Sequence, residues 1–576
     1  MATTVVAVLP LLVAIPLVLV DGMTAPNGDD ALIELRVRDV WGIDSPLTGS
    51  YGRFGWNHPG PLLFYVLSVP YRLVGARFAG LQVGTLLLGI ASVVGIAWVA
   101  ARRGGAVLAL WALFVVSVLV HGLGPRVLSD PWEPHSTVLP ATLLLFLAWD
   151  TAAGRAWSLP LLVGVGSLLA ASQATLLPLV AALVLWAVVG MAAGTRLRRR
   201  RGRPVGRRSL WLAAGTAVAL GVVLWLPAVV EELKNSPGNL SAMWEFVREP
   251  QDTLGLADGW RSVALQLGTE PTWLGFDPPL VAFATTVDTA GAPAVPLGLV
   301  ALAVGLALAA WRRDDSLLLG ATALVALGAG VVGMSQLVGD LFPWLLEWTR
   351  ILGAATWLAA GWCAFRALGE SARARLTRVV VPVLAAGIVV ASVAGVVDAV
   401  RHRQGEDTGL QQAIDDLSRA GARAVADVDG RVLVRSEVRR RLLVFGEGIG
   451  PHSLALGLER EGVEVVVERR LAYQFGDHRA RPTRAVAELV LVSGRPRGAE
   501  LAGGRVVATA DPLTREQRAE RGRLGRELAR RGGGSSTDLA AAREAVARDP
   551  SLRALLEASD AIPDLPVLSL VERPLP

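Results

Sequence analysis

The sequence predicts a polytopic α-helical membrane protein of about eleven transmembrane helices, followed by a small extracytoplasmic α/β domain. Three observations carry this reading. Over 576 residues, 52% are hydrophobic, only 18% are charged, and the mean hydropathy is +0.47. Apolar runs long enough to cross a bilayer recur as far as residue 400, and beyond it the chain changes character. Such a composition cannot stay solvated as open coil, which excludes a disordered protein. A single cysteine, Cys363, excludes a disulfide scaffold.

A helix needs roughly 20 apolar residues to cross the hydrocarbon core. The first such run extends from about Thr4 to Val20. It lacks a basic region before it and a small-residue cleavage site after it, and reads as a retained anchor. Later runs centre on residues 80–100, 106–120, 136–150, 158–172, 175–193, 209–229, 293–311, 316–334, 351–367 and 379–399. Arg102-Arg103, Arg155, the Arg196 to Arg208 cluster, Arg312-Arg313 and the Arg373-Arg375-Arg378 group then fall on alternate loops. The positive-inside tendency places them, and with them the N-terminus, in the cytoplasm. The net charge of +6 and pI of 10.2 are explained by those loops, leaving no basic surface for nucleic acid.

This topology divides the chain into a membrane domain, residues 1–400, and an extracytoplasmic domain, residues 401–576. The outer loops are 21–79, 121–135, 230–292 and 335–350. In the C-terminal domain, helix-like stretches (Leu410 to Ala420, Ser453 to Glu461) alternate with β-rich runs (Arg431 to Val434, Val463 to Val467, Ala487 to Val492). The Gly446-Glu447-Gly448-Ile449-Gly450 run lacks dinucleotide-binding spacing and reads as a loop. Thr514 to Arg548 reads as two solvated helices broken at Gly532 to Ser536. No internal repeat supports a transporter made of duplicated halves.

The first outer loop holds the densest chemistry. Gly28 to Val40 forms an amphipathic helix opened by Asp29 and Asp30, with Leu32, Leu35 and Val40 toward the membrane and Glu34, Arg38 and Asp39 toward water or protein. Two adjacent carboxylates at the bilayer surface suit capping, a general base or a metal site. Further on comes Trp56-Asn57-His58-Pro59-Gly60-Pro61-Leu62, with Tyr65 after it. Asp29-Asp30, the Arg38-Asp39 pair and the Asn57 to Leu62 segment together resemble the first loop of the C-type membrane glycosyltransferases. The resemblance points to their aminoarabinose-transferase and protein O-mannosyltransferase branch. His58 stands where that family often has Lys. The resemblance covers residues 1 to about 80 by motif and extends to about 400 by topology.

It implies transfer of a sugar from a polyprenyl-phosphate donor to a glycan, lipid or protein acceptor of the cell envelope, at the outer face of a bacterial plasma membrane. It implies Asp29 as the base, with Asp30 orienting the acceptor or a metal. A divalent cation is one way to keep both acids ionised. The departing phosphate needs cations, and Arg53, His58, Arg126, Lys234, Arg248 and Arg350 all lie on the predicted outer side. Lys234 is the sole lysine among 56 basic residues, so arginine usage reads as GC-rich coding and one arginine says little by itself.

Asp130, Glu133 and His135 form a second polar concentration, stiffened by prolines, whose spacing matches no recognised metal pattern. With Glu34 and Arg38 they are supporting candidates. Most of the eighteen tryptophans read as interfacial anchors, and Trp56, beside Asn57, is the candidate for stacking on a sugar. The rival function is a transporter or a scaffold presenting the C-terminal domain. A transporter would place ionisable groups within its spans, which here hold almost none.

Overall fold

The computed structural model describes residues 2–21, 26, 28–200, 207–280, 286–401, 408–438, 451–531 and 565–575, with scattered positions between 548 and 562. The Gly446–Gly450 run, the break at Gly532–Ser536 with the helix expected after it, and residues 201–206 of the arginine cluster lie outside the described residues. Every predicted apolar run coincides with helix. Leu9–Asp21 follows a short helix at Ala2–Ala7, and Val138–Ala152, Ser158–Ser172, Leu177–Arg200, Arg207–Lys234, Leu297–Arg312, Leu317–Ser335, Arg350–Ala367 and Glu370–Arg401 follow in order.

Five helices among the described residues are long and apolar enough to cross a membrane by length and composition. They are Phe78–Ser129, Ala174–Arg196, Arg208–Lys234, Leu317–Ser335 and Glu370–Arg401. Exposed side chains such as Trp211, Val218, Val222 and Val229 on one of them have no reason to face water. The chain is an integral membrane protein.

Phe78–Ser129 covers both the second and third predicted runs in 52 residues. A straight helix of that length would measure about 78 Å, well over twice the ~30 Å hydrocarbon core. It is instead broken where Gly105 and Gly124 take positive φ, 66° and 73°, which a side chain would disfavour. The second break, followed by Pro125, turns the chain into the loop that carries Asp130 and Glu133.

Residues 431–573 form a five-stranded sheet of β1 (Arg431–Ser436), β2 (Val465–Val466), β3 (Ala485–Ser493), β4 (Arg505–Ala510) and β5 (Leu568–Arg573). The spatial order is β2-β1-β3-β5-β4. β1 runs parallel to β2 and β3, with Val434 opposite Leu489, while β5 lies antiparallel to β3 and β4. Helices Thr408–Ala424 and Pro451–Arg460 bury Ile414, Leu417, Leu454 and Leu458 in the same core as Val432 and Leu489. β4 and β5 were not legible in the sequence. β4 is a largely exposed strand without alternation, and β5 is a short apolar run that periodicity cannot tell from helix.

Helix Gly28–Asp39 links the two parts of the molecule and departs from expectation. Its acids Asp29 and Asp30 lie within the first turn, not at a cap before it. Leu32 and Leu35, expected to face the membrane, pack with Ala31 into the core of the C-terminal sheet. Ile33, Val37 and Val40 pack on the other side against Leu63, Phe64, Leu67 and Tyr71. A helix sandwiched in this way has no solvated face. Glu34 is therefore 0% exposed and must find partners within the protein.

Candidate functional site

A cavity of about 700 Å³ opens where helix Gly28–Asp39 meets loop 49–58, the segment after Phe78–Ser129 and the C-terminal domain. The helix presents Asp29, Leu32, Ile33 and Arg36 to it, positions seven residues apart end to end and so on one face. Loop 49–58 adds Tyr51, Arg53, Phe54, Trp56 and His58, the loop after Phe78–Ser129 adds Trp132 and Glu133, and Trp344 closes another side. Helix Asn239–Arg248, inside the long loop expected at 230–292, contributes Met243, Phe246 and Val247. Gln474 enters from the C-terminal domain.

Of the residues singled out from the sequence, Asp29, Arg53, Trp56, His58 and Glu133 line this cavity. Asp29 accepts a hydrogen bond of 2.6 Å from the Tyr51 hydroxyl. Burial raises its carboxyl above the usual range, the Tyr51 bond works against that, and the charge of Asp130 adds to it. Asp30 lies close to the charges of Asp130 and Arg126. Burial, with the charges of Asp130 and Asp29, pushes Asp30 well above the usual carboxylate range, opposed by Arg126. The twin acids are thus not equivalent. Asp29 lines the cavity beside a hydroxyl donor, whereas Asp30 is outside the lining and feels the charge of a second acid, Asp130.

Asp130 also accepts from the Trp132 backbone N–H at 2.9 Å and bonds His135 Nδ1 at 2.7 Å. Glu133 is 3% exposed, accepts from the Ser50 hydroxyl, and is pushed well above the carboxylate range by burial. Asp29, Asp30, Asp130 and Glu133 therefore crowd one end of the site. Among the described residues, no three His, Cys, Asp or Glu side chains are arranged to hold a metal ion.

His58 is held neutral, its pKa lowered to about 4 by burial, and its Nδ1 accepts the Ala174 backbone N–H at 3.2 Å. It retains a single Nε2–H with which to donate. Trp56 lines the cavity with its ring, and its indole N–H is buried without a hydrogen-bond partner. Asn57 stays outside the lining and braces the loop. Its N–H donates to Asn239 Oδ1 at 2.8 Å, and Asn239 Nδ2 returns a bond of 2.9 Å to its carbonyl. Arg53 lies over the Phe54 ring, 4.9 Å from its centroid, and donates to the Val338 carbonyl.

The remaining candidates sit elsewhere. Arg350 is engaged by Glu347 at 2.8 Å and by the carbonyls of Gly122 and Thr272, so it holds a helix junction together. Lys234 is exposed at the end of its helix, Arg248 is exposed at the end of the next one, and Arg126 stands beside Asp30. Glu34 takes 3.0 and 2.6 Å bonds from Arg460 and a 3.0 Å bond from Tyr71. Arg38 bonds Tyr71 and the Glu459 carbonyl. These two join the domains and do not face the cavity.

The cation the sequence reading missed is Arg36. Its guanidinium is mostly buried, 3.8 Å from Asp39, and packs against Gly476, where a Cβ would come within 2.4 Å of Nη1. Burial lowers its pKa, and the charge of Asp39 opposes the shift. The seven-residue spacing from Asp29 was readable as a shared helix face. Tyr51 and Gln474 carried no comparable signal.

Two crystal structures of ArnT from Cupriavidus metallidurans align with the whole arrangement. The form bound to undecaprenyl phosphate gives a TM-score of 0.53 at 13% identity, covering 88% of this chain and 95% of that one. The apo form gives 0.52 at 14% identity, covering 88% and 97%. The fold is that of ArnT, a C-type aminoarabinose transferase. At this identity the likeness is one of fold. No protein-family model and no curated protein sequence matches the chain.

Proposed function

We propose that the protein is a membrane glycosyltransferase that moves a sugar from a polyprenyl-phosphate donor to a glycan, lipid or protein acceptor of the cell envelope. The observation that carries this reading is the Asp29 carboxylate, set in a cavity that Arg36, Trp56 and His58 also line, in a fold one of whose solved examples is bound to undecaprenyl phosphate. The reaction runs at the outer face of a bacterial plasma membrane, with the N-terminus cytoplasmic and the C-terminal domain extracytoplasmic.

Asp29 serves as the general base and Asp30 supports it. Base catalysis needs an ionised carboxylate within reach of the acceptor hydroxyl, and the Tyr51 bond favours that form. As the acceptor oxygen bonds to the anomeric carbon, its proton passes to Asp29. The bond from that carbon to the donor phosphate breaks, and its electron pair leaves with the phosphate oxygen. Arg36, Arg53 and the neutral His58 line the cavity as donors for that oxygen, and the Trp56 ring offers an apolar face to the sugar. Arg126, Asn57, Asp130, Glu133, His135, Glu34 and Arg38 act behind this group by holding the acids and loops in place. Arg350 and Lys234 take no part in it.

The test is Asp29→Asn, assayed in membranes with radiolabelled polyprenyl-phosphate sugar. Loss of general-base catalysis is worth ~10²–10⁴-fold in rate. Transfer at the wild-type rate would remove the reading.

A further inference from the structure

We propose that Tyr473, presented by the C-terminal domain, is a positioning residue that holds the Tyr51 hydroxyl on Asp29, so that the α/β domain completes the site. The inference rests on the reading of Asp29 as the base. The Tyr473 ring meets the Tyr51 ring edge-on, with centroids 5.8 Å apart and planes at 72°. Tyr51 in turn donates to Asp29 at 2.6 Å. An edge-to-face pair restricts rotation of both rings, and a fixed ring fixes where its hydroxyl points.

The presenting segment is itself rigid. Phe475 is fully buried in the core of the domain and stacks on His452 with centroids 5.2 Å apart. His452 Nε2 bonds Gln474 Oε1 at 3.2 Å, and Gln474 lines the cavity. The next turn of chain carries Gly476, against which the Arg36 guanidinium rests. One short stretch of the domain thus touches the cavity, the Tyr51 ring and the Arg36 guanidinium.

Several groups face Asp29 besides Tyr51. Asp30 and Arg36 lie on its own helix, and Asp130 and Glu133 come from the loop after Phe78–Ser129. The Tyr473 ring meets the Tyr51 ring, so removing it acts on Asp29 through the Tyr51 hydroxyl. A hydrogen bond donated to a carboxylate stabilises the ionised form, and losing it makes the acid easier to protonate.

The full-length protein in membranes is labelled with a hydrophobic carbodiimide, which reacts with protonated carboxyls, across a pH series. Modification at residue 29 is read by peptide mass spectrometry. Tyr473→Ala and Tyr51→Phe are each expected to move the labelling midpoint up by about one pH unit. Tyr473→Phe, which keeps the ring edge, should leave it in place, and the double variant Tyr51→Phe/Tyr473→Ala should move no further than Tyr51→Phe alone. An unmoved midpoint in Tyr473→Ala, or additive shifts in the double variant, overturns the positioning role. The labelling needs no turnover, so this failure is distinct from that of the underlying reading, which falls if Asp29→Asn transfers sugar normally.

Discussion

Arg479 donates two hydrogen bonds, of 2.7 and 2.8 Å, to the carboxylate of Asp39, 440 positions earlier in the chain. The same guanidinium bonds both oxygens of Glu459, at 2.5 and 3.0 Å, and is only 5% exposed. Together with Arg460 on Glu34, it ties the C-terminal domain to the helix that carries Asp29. Breaking a buried pair by removing one partner costs ~3–5 kcal/mol, because the other charge is left without compensation. Arg479→Met should lower the melting temperature of the detergent-solubilised protein and reduce transfer along with it. Arg479→Lys should not restore either, since a point charge cannot make the forked contact.

The same pair makes the docking sensitive to acid. Burial by itself would raise the Asp39 carboxyl, but the bond from His478 and the charge and bonds of Arg479 prevail and hold it below its usual value. A carboxyl depressed in the folded state contributes stability above its unfolded value of about 4, and that stability disappears as pH falls through the folded value. Hydrogen exchange in helix Gly28–Asp39 should therefore accelerate as pH drops below about 4, after correction for intrinsic rates. Asp39→Asn should exchange faster at neutral pH and show a weaker acid dependence.

Glu133 behaves in the opposite sense. Burial holds its carboxyl well above the usual range, which favours the protonated form and makes a neutral amide the fitting substitute. Glu133→Gln is expected to transfer sugar within about threefold of wild type, because no proton-transfer step is assigned to it. A loss approaching that of Asp29→Asn would instead give Glu133 a direct part in the chemistry.

Two arginines of similar burial should give different losses. Arg36 faces the cavity and Arg350 is engaged by Glu347 and two carbonyls. Hydrogen bonds to charged groups contribute ~1.5–3 kcal/mol, so Arg36→Gln should weaken polyprenyl-phosphate binding by about 10- to 100-fold. Arg350→Gln should leave that affinity unchanged and lower the melting temperature. Competition of unlabelled polyprenyl phosphate against the labelled donor, set beside a thermal melt, separates the two.

The sequence by itself determined where the helices lie and which loop holds the chemistry. Hydrophobic runs are local, and each of them, from Thr4–Val20 to residues 379–399, coincides with helix. The acids Asp29 and Asp30 were visible because they sit together at the start of an amphipathic stretch. Only the tertiary structure put Asp29 in the cavity lining and left Asp30 out of it, since adjacent residues on a helix point about 100° apart. It also put Arg36 in the cavity lining while leaving Lys234 at an exposed helix end and Arg350 engaged by Glu347, placements that only the folded chain sets. The joining of the C-terminal domain to helix Gly28–Asp39 rests on partners such as Glu34 and Arg460, 426 positions apart. No periodicity or local motif records contacts of that range, and they exist only once the chain has folded.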